Sequence, residues 1–201
     1  NNPVASITVS SSDGFLQASP PGNTNYWLLL CDTAGNPTPT LTVSSTCEKL
    51  SFTAKTATTF TTGTRPMDNS VTAAHAVNAV ILMYTWDINK NTTLNGILNP
   101  CNAGTCVICV NNDPLTRGFA GSGFIRISDA TAIKIEDVSY TGTGNTVGAC
   151  GGCAACFTGG TRNAFNGNGR GTGNNHASGT SVYQSEISVL TTSTGTVANV
   201  L

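Results

Sequence analysis

The sequence predicts an all-β fold: one antiparallel β-sandwich or jelly-roll-like domain with a long Gly/Asn-rich loop and at most one short helix. Three observations predict it. The 201 residues include 32 Thr, 21 Asn and 22 Gly. Thr is β-branched and suits a half-buried pleated surface, while Asn and Gly supply turns. Apolar residues occur in short runs bounded by turn signals, several of them alternating with polar residues at the period of a strand. A single stretch is Ala-rich enough to open a helix.

Taken in order, Val4, Ser6, Thr8 and Ser10 would face one way and Ala5, Ile7 and Val9 the other, which is strand periodicity. Ser12-Asp13-Gly14 is the first turn signal, so residues 1–11 read as an extension strand and 12–201 as the domain. Candidate strands follow at Tyr26–Asp32, Thr40–Ser44 and Lys49–Ala54, with a turn in "TAGNPTP". In the stretch from Ser70, the Ala-rich half could open a helix capped at Asn69 or Ser70, and Val80–Ile88 reads as a buried strand. Phe124, Ile125 and Ile127 lead into a turn at Ser128-Asp129, and Ala132–Tyr140 alternates, which together make a β-hairpin. No strand is readable in the Gly/Asn/Thr-rich tract that follows; cross-links would have to order its first half, and Thr158–Thr180 reads as a long surface loop. Two strand-like pieces flank Thr194-Gly195. Nothing repeats at a fixed period.

Charged residues are 9% of the chain and nearly cancel, which argues against a nucleic-acid or membrane-surface partner, since both need concentrated positive charge. Low charge also gives little net repulsion, so association is expected. The greasiest run, Ala76–Tyr84, is far short of a membrane span. Asn1 stands where an initiator Met would, which fits removal of a targeting segment. An even number of cysteines in a hydroxyl-rich chain fits an oxidising, extracellular or cell-surface setting. One sequon, Asn91-Thr92-Thr93, could carry glycan there.

Six of the eight cysteines lie in two clusters, Cys101, Cys106 and Cys109, then Cys150, Cys153 and Cys156. Cys101-x4-Cys106-x2-Cys109, with its small-residue loop "CNAGTC", resembles the cluster-binding loop of the plant-type ferredoxins, which implies a two-iron site. The resemblance covers nine residues, and no fourth cysteine stands about thirty residues downstream. Two CxxC pairs, Cys106/Cys109 and Cys150/Cys153, would suit zinc. The third reading needs no cofactor: Cys31 pairs with Cys47, and the two triplets cross-link among themselves. With about a hundred pairings open to eight cysteines, connectivity stays undetermined, and a bond could join neighbouring subunits. A bond from Cys31 to Cys47 would stabilise by roughly 3 kcal/mol.

A catalytic site is hard to assemble. His75 sits in an apolar context that favours a hydrogen-bonded structural role, and His176, in "GNNHASG", reads as exposed on a loop. No nucleophile motif is present. Glu136-Asp137 could serve glycoside hydrolysis only if neighbouring strand residues shared a face. The aspartates at turns suit Asx capping. The sequence therefore reads as a non-enzymatic structural subunit of an extracellular filament, pilus-like fibre or coat, with itself as partner and no cofactor. Strand donation through Val4, Ala5, Ile7 and Val9 would resemble that of β-rich pilins, while the same strand could equally complete its own sheet. The alternatives are a secreted module binding host or surface glycans through Trp27, Trp86, Tyr140 or Tyr183, and an iron–sulfur or zinc protein.

Overall fold

The computed structural model describes residues 6–15, 26–32, 46–63, 74–99, 101, 106–128, 135–162 and 175–195. Among them the chain is all-β, with twelve strands and no helix: β1 (Ile7–Thr8), β2 (Tyr26–Asp32), β3 (Thr46–Leu50), β4 (Phe52–Lys55), β5 (Thr59–Thr62), β6 (Val80–Thr93), β7 (Cys106–Cys109), β8 (Gly123–Ser128), β9 (Ile135–Tyr140), β10 (Gly142–Gly144), β11 (Cys156–Gly160) and β12 (Ser181–Thr192). β2 has the predicted bounds, and β8 with β9 forms the predicted antiparallel hairpin, pairing Ile125 with Val138 and Ile127 with Glu136. The predicted strand over Lys49–Ala54 is two strands broken at Ser51, and β6 runs five residues beyond Ile88. The strand predicted at Thr40–Ser44, the helix cap at Asn69 or Ser70 and the last strand-like piece lie outside the described residues. Residues 74–79, just after that cap, form a bridge and a turn rather than a helix.

The chain divides into two compact units. Unit 1 comprises Asn1–Thr85, Phe165–Asn168 and Ile187–Leu201; unit 2 comprises Trp86–Ala164 and Gly169–Glu186. Two strands change unit in mid-course: β6 begins in unit 1 and ends in unit 2, and β12 does the reverse. Unit 1 holds a three-stranded sheet in the order β1-β5-β4 and a four-stranded set in the order β3-β2-β6-β12. Unit 2 holds β7-β11-β10 and β9-β8-β12-β6. Adding six to each strand number of unit 1, with β6 and β12 trading places, reproduces unit 2.

The core of each unit is the apolar face of one sheet laid on that of the other. In unit 1 Ile7, Phe52 and Phe60 from the small sheet cluster with Leu28, Leu30, Leu50 and Ile81 from the large one. In unit 2 the corresponding cluster is Ile108 and Phe157 from the small sheet with Ile125, Ile127, Val138, Tyr140 and Val182 from the large one. Even the ring geometry recurs. Phe15 meets Phe60 edge-on at 5.0 Å between centroids, and Phe119 meets Phe157 edge-on at 5.1 Å. Both arrangements are favoured by the ring quadrupole.

The repetition is also in the sequence, at spacings that shift. "EKLSFT" (Glu48–Thr53) is echoed by "EDVSYT" (Glu136–Thr141), 88 residues on; "FTTGTR" from Phe60 by "FTGGTR" from Phe157, 97 residues on; and His75-Ala76 by His176-Ala177, 101 residues on. Loops of unequal length between matching core segments produce such drift, which is why no fixed period exists.

Candidate functional site: strand β1, the disulfide frame and two histidine clamps

Burial around β1 alternates strictly: Ser6 and Thr8 are exposed, while Ile7 and Val9 are each 1% exposed. Ile7 and Thr8 lie opposite Phe60 and Thr59 of β5, and the Val9 amide donates to Thr58 O at 2.9 Å. Val9 also bridges to Ser193, while the Ser10 amide donates to Thr192 O and the Thr194 amide to Thr8 O. Of the four residues predicted for an intersubunit strand, Ile7 and Val9 thus fill the core of unit 1, and Val4 and Ala5 lie outside the described residues. β7 is the counterpart of β1 in unit 2. Ile108 and Val110 are buried, Val110 bridges to Leu94, its amide donates to Ala155 O, and the Asn111 amide donates to Thr93 O.

All eight cysteines are paired. Cys31 and Cys47 face each other across β2 and β3, with Cα atoms 4.1 Å apart. Unit 2 holds the other three bonds: Cys101–Cys106, Cys109–Cys153 and Cys150–Cys156. The triplets are therefore joined to each other once, through Cys109–Cys153, and each closes one bond of its own. In the oxidised chain no sulfur is a free thiolate for iron or zinc. The bond spanning 44 residues stabilises by about 4 kcal/mol on chain-entropy grounds, and the one spanning six by about 2.

These bonds frame two strands that composition hides. In β10 and β11 the glycines are demanded by close approach: a Cβ on Gly144 would stand 2.8 Å from Cys150 Sγ and 3.0 Å from Cys156 Sγ, and one on Gly160 would stand 2.9 Å from Cys106 Cβ. The tract in which no strand was legible thus carries β10 and β11, paired antiparallel with each other, and β11 pairs with β7.

Each unit also carries a buried histidine on a carboxylate of its outermost strand. In unit 1, His75 Nε2 lies 3.3 Å from Glu48 Oε2, and its Nδ1 3.1 Å from Asp32 Oδ2. In unit 2, Glu136 receives a forked pair of hydrogen bonds from Nε and Nη2 of Arg162, and His176 Nε2 lies 3.1 Å from Glu136 Oε2. A carboxylate held by a guanidinium only accepts, so Nε2 of His176 carries the proton. His176 is 0% exposed, not on an open loop as its neighbours suggest, because the backbone at His176 pairs with Leu98 and its ring is drawn onto Glu136. A repeat of His-Ala before a turn and a strand was the available signal. Glu136 and Asp137 do not share a cleft: both are buried, Glu136 on His176 and Arg162, and Asp137 opposite Arg126 in the ladder.

Of the residues considered for glycans, Trp86 is covered by Arg126 at 4.0 Å from its ring centre, and Tyr140 is 2% exposed. The Tyr140 hydroxyl shares its proton between Ala120 O at 2.8 Å and Gln184 Oε1 at 3.0 Å, and burial pushes its pKa up to about 12. Asn91 of the sequon lies on β6; its side-chain Nδ2 donates to Ile88 O at 2.6 Å, and Arg117 donates to its backbone oxygen at 3.0 Å. Nearby, Lys90 is held above the usual lysine range, chiefly by its hydrogen bond to Glu186 at 2.6 Å.

Comparison of the chain with protein-family models, curated protein sequences and solved structures finds no match. No helix among the described residues is long and apolar enough to cross a membrane. The four disulfides on an all-β frame fit a protein of an oxidising compartment.

Proposed function

We propose that the chain is a structural subunit of an extracellular assembly, a filament or coat, that polymerises by donating strand β1 to a neighbouring copy and is reinforced by its disulfides. The observation that carries this reading is the contrast between β1 and β7. Both fill equivalent core positions, but β7 is fastened by Cys101–Cys106 and Cys109–Cys153, whereas residues 1–30 contain no cysteine. The β1 ladder to β5 is two residues long; main-chain hydrogen bonds would give the donated strand its affinity, with Ile7 and Val9 filling the core positions. A neighbour's β5 offers the same ladder and the same core positions. Low charge supports close packing of many copies.

Thr8 and Thr59 are opposite each other in the ladder, so a Thr8→Cys/Thr59→Cys variant reports which chain supplies the strand. Donation predicts filaments by electron microscopy and a covalent ladder on non-reducing gels that collapses on reduction. Absence of polymer, or a bond closed only within single chains, refutes the reading.

A further inference from the structure

Neither unit contains the whole of its own last strand. Unit 1 is closed by the far half of β12 and the residues after it: the Asn78 amide donates to Ser193 O, the Ser193 amide to Ala79 O and the Thr194 amide to Thr8 O. Unit 2 is closed by the far half of β6 and the two residues after it through the equivalent three bonds: the Gly179 amide donates to Leu94 O, the Leu94 amide to Thr180 O and the Asn95 amide to Cys109 O. Asn78 and Gly179, the matching turn residues, both have positive φ, 69° and 84°. The module is thus a two-piece body whose closing segment is always supplied by the module beside it in the chain.

From this we infer that residues 187–195 are an exchange element whose partner is a second copy of this chain: they close unit 1 of a neighbour with the contacts they make at home. The hydrogen bonds that Thr192, Ser193 and Thr194 make in unit 1 depend on the segment's sequence and not on which chain carries it, so the exchanged segment keeps them. Two chains that exchange reciprocally close a dimer; exchange passed from one chain to the next leaves an open series. The proposal rests on the reading of the protein as an assembly subunit and assigns a second interlock to it, distinct from β1.

Ala76 and Thr194 are exposed on either side of this closure, next to the hydrogen bond from Ser193 Oγ to Ala76 O. With every native cysteine paired, a short bismaleimide added to an Ala76→Cys/Thr194→Cys variant of the full chain joins only these two positions. The expected product is a band at twice the chain mass, extended to a ladder where polymer is present, and a crosslink between the two singly substituted chains when they are refolded together. Val77→Cys with Gly195→Cys gives an independent second pair. Polymer with crosslinks only at single-chain mass overturns the exchange and leaves the filament reading standing. A two-chain crosslink without polymer supports exchange as a closed dimer and removes the filament reading. Single-chain crosslinks without polymer overturn both.

Discussion

Glu136 shows how much one buried residue is asked to do. It sits on the outermost strand of unit 2, 2% exposed, and satisfies a guanidinium and an imidazole at once. Removing one partner of such a group leaves a buried charge, at a cost of about 3–5 kcal/mol, so the cluster works as a clamp that fixes geometry more than as a source of net stability. Tyr140 is a titratable residue whose burial has a pH signature. Its folded pKa is raised to about 12 from the ordinary tyrosine value of 10.0, so above pH 10 the unfolded chain loses the proton first. Stability conferred by the neutral hydroxyl is complete below pH 10 and is lost as pH rises toward 12. The loss should reach roughly 1–2 kcal/mol, allowing for water near the hydroxyl. Urea unfolding of the parent and of Tyr140→Phe at pH 8, 10 and 11.5 checks this: the parent should lose that much more than the variant, and parallel profiles would disprove it.

Elements whose apolar residues alternate or run together were legible: β2, β6 and the β8–β9 hairpin are each driven by side chains that must leave water. β7, β10 and β11 were not, because what holds them is sulfur and close backbone approach. Gly142, Gly144, Gly159 and Gly160 read as loop by composition, yet each stands where a Cβ would meet a side chain within 3.0 Å. The disulfide pairing within the clusters was equally hidden, since spacing does not fix connectivity. Gly144→Ala places a methyl against Cys150 and Cys156 and should cost about 1–3 kcal/mol of unfolding free energy, while Gly148→Ala, with nothing within 4 Å of its Cβ, should stay within about 0.5. Equal urea midpoints for the two variants would show that β10 yields easily.

At the scale of the whole molecule, the consequence of duplicated topology is cooperativity. Two compact units would ordinarily unfold as two transitions, the less stable one first. Here each unit's large sheet includes a half-strand whose other half belongs to the second unit, so melting one unit frees the segment that closes the other. Three of the four disulfides lie in unit 2 and one in unit 1, an imbalance that would separate the two melts widely if they were independent. Calorimetry should therefore show a single transition whose van't Hoff and calorimetric enthalpies agree. Phe60 and Phe157 occupy equivalent core positions, both 0% exposed, and truncating either to alanine removes about 3–5 kcal/mol. Each substitution should move that one transition downward as a whole. A thermogram that splits into a shifted and an unshifted peak would mean that the exchanged half-strands do not couple the units.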